Sequence, residues 1–307
     1  MNIYNLTEVD ALIYKIFKTH YAITAIGNHQ LKRNAVYLLK KNNHFYVFKL
    51  YKKPLRAVRE RICLELLKES TLLVPQILNH GSAFGYEWLL ESYLQGTELS
   101  LLSEIIPFEN LKHIYFDLGE KLSVLHHFKT FNHFGIFENQ PNFIPCNTFK
   151  SAFQKRLTSI ENTISIEQLP DHTLLQKSLS YLNKNLSLLD TVQSPTLCHN
   201  DYDPRNILVS STKKGFAFSG IIDFEQSMPW DKDLDFISLS HKILDCHPHL
   251  KKAFFEGYGF TQKMNMQFET KKKFYLVYQG TMIASFAYKF APHYYHTGIL
   301  LIKNNLT

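Results

Sequence analysis

The 307-residue sequence predicts an α+β fold of two lobes, a β-rich N-terminal lobe (residues 1–93) and a mainly helical C-terminal lobe (residues 94–307). Two observations predict it. Strand-like stretches alternate with turn residues up to about residue 93, whereas apolar residues recur at helical spacing from there to about residue 190. Apolar residues make up 45% of the chain and charged residues 20%, as is usual for a globular protein.

The N-terminal twenty residues predict an amphipathic helix. Glu8 and Asp10 interrupt the apolar core that a signal peptide needs. No stretch approaches the roughly twenty apolar residues of a membrane span, and the four cysteines show no CxxC spacing. We therefore expect a cytoplasmic protein with reduced cysteines and no membrane contact. The residues that share the apolar face of this helix are Val9, Leu12, Ile13, Ile16 and Phe17.

The remainder of the first lobe predicts a hairpin, a helix and two short strands. The hairpin is expected around the turn KKNN, between AVYLL and FYVFKLY. A helix follows from about Leu55 to Ser70, because apolar residues repeat there at helical spacing. VPQILNHGSAFGYEWLLESYL then predicts two strands, and LQGTEL, with Gly96 at its centre, predicts a connector to the second lobe.

Lys49 lies in the middle of the predicted strand FYVFKLY, where a charge is out of place unless it faces a cleft. Taken alone, this residue is better explained as an edge-strand lysine that faces water. Glu60 lies in the first half of the following helix and is the expected partner of Lys49 in a charge-assisted hydrogen bond. Glu65 and Glu69 are the alternative partners.

The second lobe predicts several helices and one β-hairpin, NILVS followed by FSGIIDF. The hairpin places Asn206 at the start of one strand and Asp223 at the end of the next, so their side chains can meet at one end. Amide and carboxylate oxygens are ligands that Mg²⁺ prefers. Asp201, in the preceding loop, is placed to accept or orient a hydroxyl proton. His199-x-Asp201-x-x-x-x-Asn206 followed by Ile222-Asp223-Phe224 is the arrangement that a kinase active site requires.

These segments resemble the aminoglycoside phosphotransferase and choline kinase group of small-molecule kinases, which share the protein-kinase fold. The resemblance runs almost from end to end, and it implies a bilobal protein-kinase-like fold. The matching stretches are Gly27 with Asn34, Val36 and Tyr37, then VFKLY, Arg59 with Glu60, LVPQILNHG, LLESYLQGTEL, LGEKLSVLH, HNDYDPRNIL and GIIDFEQSMPWDKDLDFISL.

The resemblance implies a role for each matching residue. Asp201 would be the catalytic base, and Asn206 and Asp223 would bind Mg²⁺. Lys49, held by Glu60, would contact the α- and β-phosphates of ATP or GTP. Two further residues lie in segments that would bind the nucleotide, Asn34 in the loop hairpin and Glu91 in the strand before the hinge. Three residues would be structural: His199 bracing the loop, and Asp231 and Asp235 anchoring the next helix.

Three departures from the kinase pattern bear on the site. The loop IGNHQLKRN has a single glycine, so its backbone amides would hold phosphate less fully than a glycine-rich loop. Lys32 or Arg33 could offset this, although a solvated hairpin tip is the preferred interpretation for both. Asp203 stands where protein kinases carry a lysine, so Arg205 is a catalytic candidate near the γ-phosphate; the alternative is that it pairs with Asp203. Glu225 replaces the glycine after the metal aspartate, which argues against a movable activation segment.

Charge is distributed unevenly along the chain. Residues 1–93 hold 13 Lys and Arg against 7 Asp and Glu, whereas residues 201–235 hold seven acids against four bases. We expect γ-phosphoryl transfer from ATP or GTP to a hydroxyl of a small molecule. The acidic segment favours a cationic acceptor such as an aminoglycoside or an amino alcohol. The alternatives are a catalytically silent nucleotide-binding module and, ranked last, an RNA-binding protein. Because RNA binding is ranked last, we expect no nucleic acid partner. We also expect a monomer or a weak dimer.

Four other features are interpreted as structural. Cys246-His247-Pro248-His249 matches no standard zinc spacing. His126 is interpreted as a structural histidine with satisfied hydrogen bonds, and the run KKK at 271–273 as a solvated helix face. Trp230 and the Tyr- and Phe-rich C-terminal part could form a cage for an ammonium group, but an ordinary core is the preferred interpretation.

Overall fold

The computed structural model describes residues 1–29, 34–167, 169–213 and 215–306. Lys32 and Arg33 lie outside the described residues. Over the described chain there are ten strands: β1 (Ala22–Ile26), β2 (Ala35–Lys41), β3 (His44–Tyr51), β4 (Ile77–Ala83), β5 (Tyr86–Ser92), β6 (Thr97–Glu98), β7 (Thr196–Cys198), β8 (Ile207–Thr212), β9 (Gly215–Ile221) and β10 (Met228–Trp230).

The same residues form ten α-helices, so the predicted α+β class is confirmed. They are α1 (Leu6–Phe17), α2 (Arg56–Leu67), α3 (Leu99–Leu102), α4 (Phe108–His127), α5 (Phe149–Glu167), α6 (His172–Lys184), α7 (Asp233–Leu239), α8 (Pro248–Tyr258), α9 (Gln262–Ala287) and α10 (Pro292–Leu306). Among the described residues, none of these helices is both long enough and apolar enough to cross a bilayer.

The chain packs as two compact units, each built from separate stretches of sequence. The sequence predicts two lobes that are each continuous, with a boundary at residue 93, and this division stays a prediction. The first unit contains Met1–Pro107, Phe137–Phe143 and Asp203–Ser227, and the second contains Phe108–Ile136, Ile144–Tyr202 and Met228–Thr307.

The first unit is organised by a five-stranded antiparallel sheet with the strand order β1-β2-β3-β5-β4. Alternate residues of β2 face its core, where Ala35, Tyr37 and Leu39 are fully buried. Helix α1 packs against the same core through the apolar face that its sequence predicts. The Asn5 side chain caps this helix by accepting hydrogen bonds from two backbone N–H groups of its first turn.

A second sheet in this unit joins β6, β8 and β9. In the β8–β9 hairpin Ile207 pairs with Ile221, and the backbone N–H of Ile222 donates to the carbonyl of Asn206 at 2.9 Å. The hairpin therefore ends with Asn206 and Asp223 on the same side, as the sequence predicts.

The second unit is mainly helical, with a short ribbon in which β7 pairs with β10. Helices α4 and α8 approach each other closely because glycine stands at both contact points. A Cβ atom on Gly119 would lie 2.0 Å from the carbonyl oxygen of Phe254, and one on Gly257 would lie 2.0 Å from that of Phe116. Backbones can meet at this distance only where the side chain is absent.

One structural interpretation of the sequence is wrong. Lys271, the first residue of the KKK run, is 5% exposed and faces the interior of the second unit, whereas Lys273 is exposed. Its Nζ lies 2.9 Å from Asp233 and also contacts Asp231. The helical spacing of Phe268, Lys271 and Tyr275 places the lysine on the buried face of α9.

Candidate active site

Lys49 occupies the central part of the first sheet. Its strand, β3, is bordered by β2 and β5, so the interpretation as an edge-strand lysine is wrong. Its Nζ donates to Glu60 Oε1 at 2.6 Å, which confirms the predicted contact. Glu91 Oε2 and Asp223 Oδ1 lie 3.4 and 3.8 Å from the same nitrogen. Glu65 instead pairs with an arginine one turn earlier on α2.

The charges around Lys49 keep it protonated. Burial by itself would lower the pKa of this lysine, but the carboxylates of Glu60, Glu91 and Asp223 reverse the effect and raise it. Burial also raises the pKa of Glu91 to about 8, against the opposing effect of Lys49. Glu91 therefore carries a proton over much of the neutral range, while Lys49 remains a fixed cation.

Glu60 connects the lysine strand with the segment after the β8–β9 hairpin. It is fully buried on the packed face of α2. Its carboxylate accepts hydrogen bonds from Lys49, from the hydroxyl of Tyr51 and, at 3.1 Å, from the backbone N–H of Phe224. Sequence reasoning missed Tyr51, although its position two residues after Lys49 places both side chains on one face of β3.

Asn206 and Asp223 are the candidate metal ligands. Asp223 has a left-handed backbone (φ 68°), and its side chain is 39% exposed. Asn206 closes a short 3₁₀ turn, Pro204–Asn206, and is buried. One carboxylate and one amide oxygen at the same end of a hairpin form the hard-oxygen donor set that suits Mg²⁺. The residues present fit this ion, and their role as its ligands stays a prediction.

Glu225, two residues after Asp223, is held from two directions. Its carboxylate accepts a 3.0 Å hydrogen bond from Arg56 Nη1, at the start of α2, and another from the amide of Asn34, just before β2. Burial, followed by repulsion from Asp223, raises the pKa of Glu225 to about 7. Asn34 is thus engaged with Glu225, and its predicted nucleotide contact stays a prediction. The sequence offered no signal for Arg56.

Arg205 and Asp203 form a local pair. The Asp203 carboxylate accepts from the backbone N–H of Arg205 at 3.1 Å and from its Nε at 2.8 Å, which caps the 3₁₀ turn. This geometry confirms the alternative in which Arg205 pairs with Asp203. The catalytic role of Arg205 stays a prediction.

In the second unit, Asp235 at the start of α7 anchors the loop that carries Asp201. Its carboxylate accepts from the backbone N–H groups of His199 at 2.9 Å and Asn200 at 2.6 Å. Asn200 has a positive φ of 60°, and Asp201 follows it in a half-buried position. The structural role that the resemblance implies for Asp235 fits these contacts.

Asp235 also contacts His126 of α4, at 3.0 Å from its Nε2. Burial lowers the pKa of His126, so the ring is neutral, with Nε2 donating to Asp235 and Nδ1 accepting from the hydroxyl of Tyr258 at 2.8 Å. The ligand atoms of His126, Cys198 and Asp235 lie within 4.8 Å of one another. Because both ring nitrogens already have partners, this cluster is structural, as the sequence predicts for His126.

The other acids of this segment are also paired. Asp231 accepts from Lys271, from the hydroxyl of Tyr275 and, at 3.2 Å, from the backbone N–H of Asp233. Asp231 therefore caps the start of α7 while holding a lysine of α9. The structural role that the resemblance implies for Asp231 fits these contacts.

Comparison with known proteins places the chain in a class. A family model described as the phosphotransferase enzyme family matches residues 27–265. The chain belongs to this family, and its fold is that of the aminoglycoside phosphotransferases, which is protein-kinase-like. No curated protein matches the sequence.

Solved structures agree with this fold. A thermostable mutant of aminoglycoside phosphotransferase APH(4)-Ia in its apo form has a TM-score of 0.75 at 13% identity, covering 97% of this chain and 98% of that one. The ternary complex of such a mutant with ADP and hygromycin B has a TM-score of 0.74 at 13% identity, with the same coverage. The GDP complex of aminoglycoside 2'-phosphotransferase-IIIa has a TM-score of 0.70 at 16% identity, covering 98% of each chain.

Proposed function

We propose that this phosphotransferase is a small-molecule kinase, which moves the γ-phosphoryl group of ATP or GTP to an alcohol. The observation that carries the proposal is the buried Lys49–Glu60 pair, whose carboxylate also holds the backbone N–H of Phe224. Because of this contact, the phosphate-binding cation and the segment of Asp223 are fixed to one helix. A fixed cation beside a metal-binding carboxylate is what phosphoryl transfer requires.

Each of these residues would have a defined role in the transfer of the phosphoryl group. The acceptor oxygen attacks the γ-phosphorus, its proton passes to the Asp201 carboxylate, and the bond from the γ-phosphorus to the bridging oxygen breaks to release the nucleoside diphosphate. Lys49 offsets negative charge on the α- and β-phosphates. Asn206 and Asp223 would hold Mg²⁺, which when bound supplies positive charge to the phosphate oxygens.

The test is an acceptor panel scored by nucleoside diphosphate release, with Mg-ATP and Mg-GTP in parallel and nucleotide affinity measured by calorimetry. Aminoglycosides and amino alcohols belong in the panel. We expect turnover with at least one alcohol. Asp201→Asn should abolish turnover and keep nucleotide affinity, whereas Asp190→Asn, at an exposed position paired with Lys150, should change neither.

Two results would separate the alternatives. Nucleotide binding without product from any acceptor would favour the catalytically silent module. Absence of any Mg-nucleotide binding would exclude both the small-molecule kinase and the catalytically silent nucleotide-binding module.

A further inference from the structure

A pocket in the second unit lies beside the loop that carries Asp201. Asn200 of that loop lines it, together with Trp230 of β10, Arg156 of α5, and Tyr278, Gln279 and Met282 of α9. Most of its wall is aromatic or apolar, and its described lining contains no acidic residue. The cavity measures about 20 Å³, so a bound ligand would have to displace flexible side chains of its wall such as Met282.

Arg156 is the cation of this pocket. It is half-buried, and its Nε donates to the hydroxyl of Tyr278 at 2.6 Å. Across the part of the chain that the structure describes, no carboxylate lies within ion-pair distance of this guanidinium, and its two terminal nitrogens have no protein acceptor. A half-buried guanidinium that keeps several N–H donors unused is suited to binding an anionic group.

The acidic residues that follow the Asp201 loop in sequence are mostly held by protein groups and are not free to bind a cationic acceptor. Most of the seven acids in residues 201–235 are engaged with other protein groups. Asp203 contacts Arg205, Glu225 contacts Arg56, and Asp223 lies 3.8 Å from Lys49. Asp231 and Asp233 contact Lys271, and Asp235 accepts from the backbone of the His199 loop. The acidic composition of the segment is therefore used mainly to hold the protein together.

We propose that the acceptor is a small alcohol that carries an anionic group, a carboxylate or a phosphate, bound by Arg156. Its apolar part would pack on Trp230 and Met282, with the hydroxyl directed to the Asp201 loop. This inference rests on the proposed kinase function and names its substrate class. It differs from the cationic acceptor that the sequence favours.

The experiment compares three probes of matched length: hydroxyhexanoate, its methyl ester and aminohexanol. Each is tested as a phosphoryl acceptor and, with Mg-AMP-PNP present, as a ligand by calorimetry. We expect hydroxyhexanoate to bind and react at least about tenfold better than the ester, since a charge-assisted pair contributes roughly 1.5–3 kcal/mol. Aminohexanol should be the poorest of the three.

Variants assign the preference to Arg156. In Arg156→Met the KM for hydroxyhexanoate should rise about 10–100-fold, with little change for the ester and an unchanged nucleotide affinity; Arg156→Lys should recover part of the loss. Lys155→Met, at an exposed position on the same helix, is the matched control. Tyr278→Phe removes the hydrogen bond to Arg156 and keeps the guanidinium. It therefore separates the effect of how Arg156 is held from the effect of its charge.

Three outcomes would overturn the proposal: a preference for aminohexanol, an equal effect of Arg156→Met on all probes, or neither binding nor reaction of hydroxyhexanoate. The proposed function fails by a different measurement, since it requires Mg-nucleotide binding and nucleoside diphosphate release with some alcohol, whatever its charge. The two failures can thus be told apart.

Discussion

Arg56 donates a 3.0 Å hydrogen bond to Glu225, and so joins the start of α2 to the segment that follows Asp223. Glu60, on the next turn of α2, accepts from the backbone N–H of Phe224. Two contacts from one helix therefore hold two consecutive residues, Phe224 and Glu225. This arrangement fits the sequence-based expectation that the segment after Asp223 is not a movable one.

The first prediction concerns the pH dependence of stability. Because Glu225 titrates at about 7 in the folded protein and at about 4.5 when unfolded, the folded state holds the extra proton between these values. The contribution of Glu225 is thus fully present below pH 4.5 and is lost as pH rises to 7. We expect Glu225→Gln to reduce the wild-type fall in unfolding free energy over this range, by about 1–3 kcal/mol.

Urea unfolding at pH 5 and pH 7.5, with a chelator and without nucleotide, measures this effect. Glu65→Gln, at a largely exposed position on the same helix, serves as the control and should follow the wild type. Parallel pH profiles for wild type and Glu225→Gln would show that Glu225 does not titrate in this window.

The second prediction separates catalysis from stability at Lys49. Lys49→Met removes the cation expected at the phosphates, so kcat should fall by roughly 10²–10³-fold. It also leaves Glu60 buried without its partner, which should lower the unfolding free energy by about 3 kcal/mol or more. In the double variant Lys49→Met/Glu60→Gln, stability should recover in part while activity does not.

Turnover assays and chemical unfolding of the same preparations test this prediction. Lys40→Met, at an exposed position on β2, is the matched control and should leave both quantities unchanged. Recovery of activity in the double variant would contradict a direct role of Lys49 at the nucleotide.

The third prediction concerns the buried ion cluster of the second unit. Lys271→Met leaves Asp231 and Asp233 close together without a cation, which should destabilise the protein by about 3–5 kcal/mol. Lys273→Met, two residues further on and exposed, should have almost no effect. Thermal unfolding of the two variants decides the matter, and equal melting temperatures would mean that Lys271 is solvated after all.

The sequence predicts those elements of the fold that carry a local pattern, whereas it gives no strand for β1, β7 or β10. The α1 face, the β2–β3 hairpin and the Lys49–Glu60 pair follow from periodicity and from the order of strand and helix. In contrast, the partners of Glu225 come from positions 191 and 169 residues away, and no spacing rule connects them. Their contact depends on how the sheet, α2 and the hairpin pack.

The charge of the acceptor site is the feature that the sequence predicts least directly. A count of acids in residues 201–235 cannot tell which carboxylates are already paired, since Lys271 approaches Asp231 and Asp233 from a distant helix. Arg156 likewise lies in an ordinary helical stretch and is only distinguished by its place in a pocket. Both features depend on tertiary packing, because net charge along the sequence is not the charge of a surface.

The backbone of Asn200 has a consequence for recognising related loops. A φ of 60° at this position is adopted easily by glycine and tolerated by asparagine, while the contact with Asp235 uses only the backbone N–H. The residue between His199 and Asp201 must therefore be one that tolerates a left-handed backbone. A search pattern for this motif should accept Gly, Asn or Asp there and reject β-branched residues, so that remote relatives are found without admitting unrelated turns.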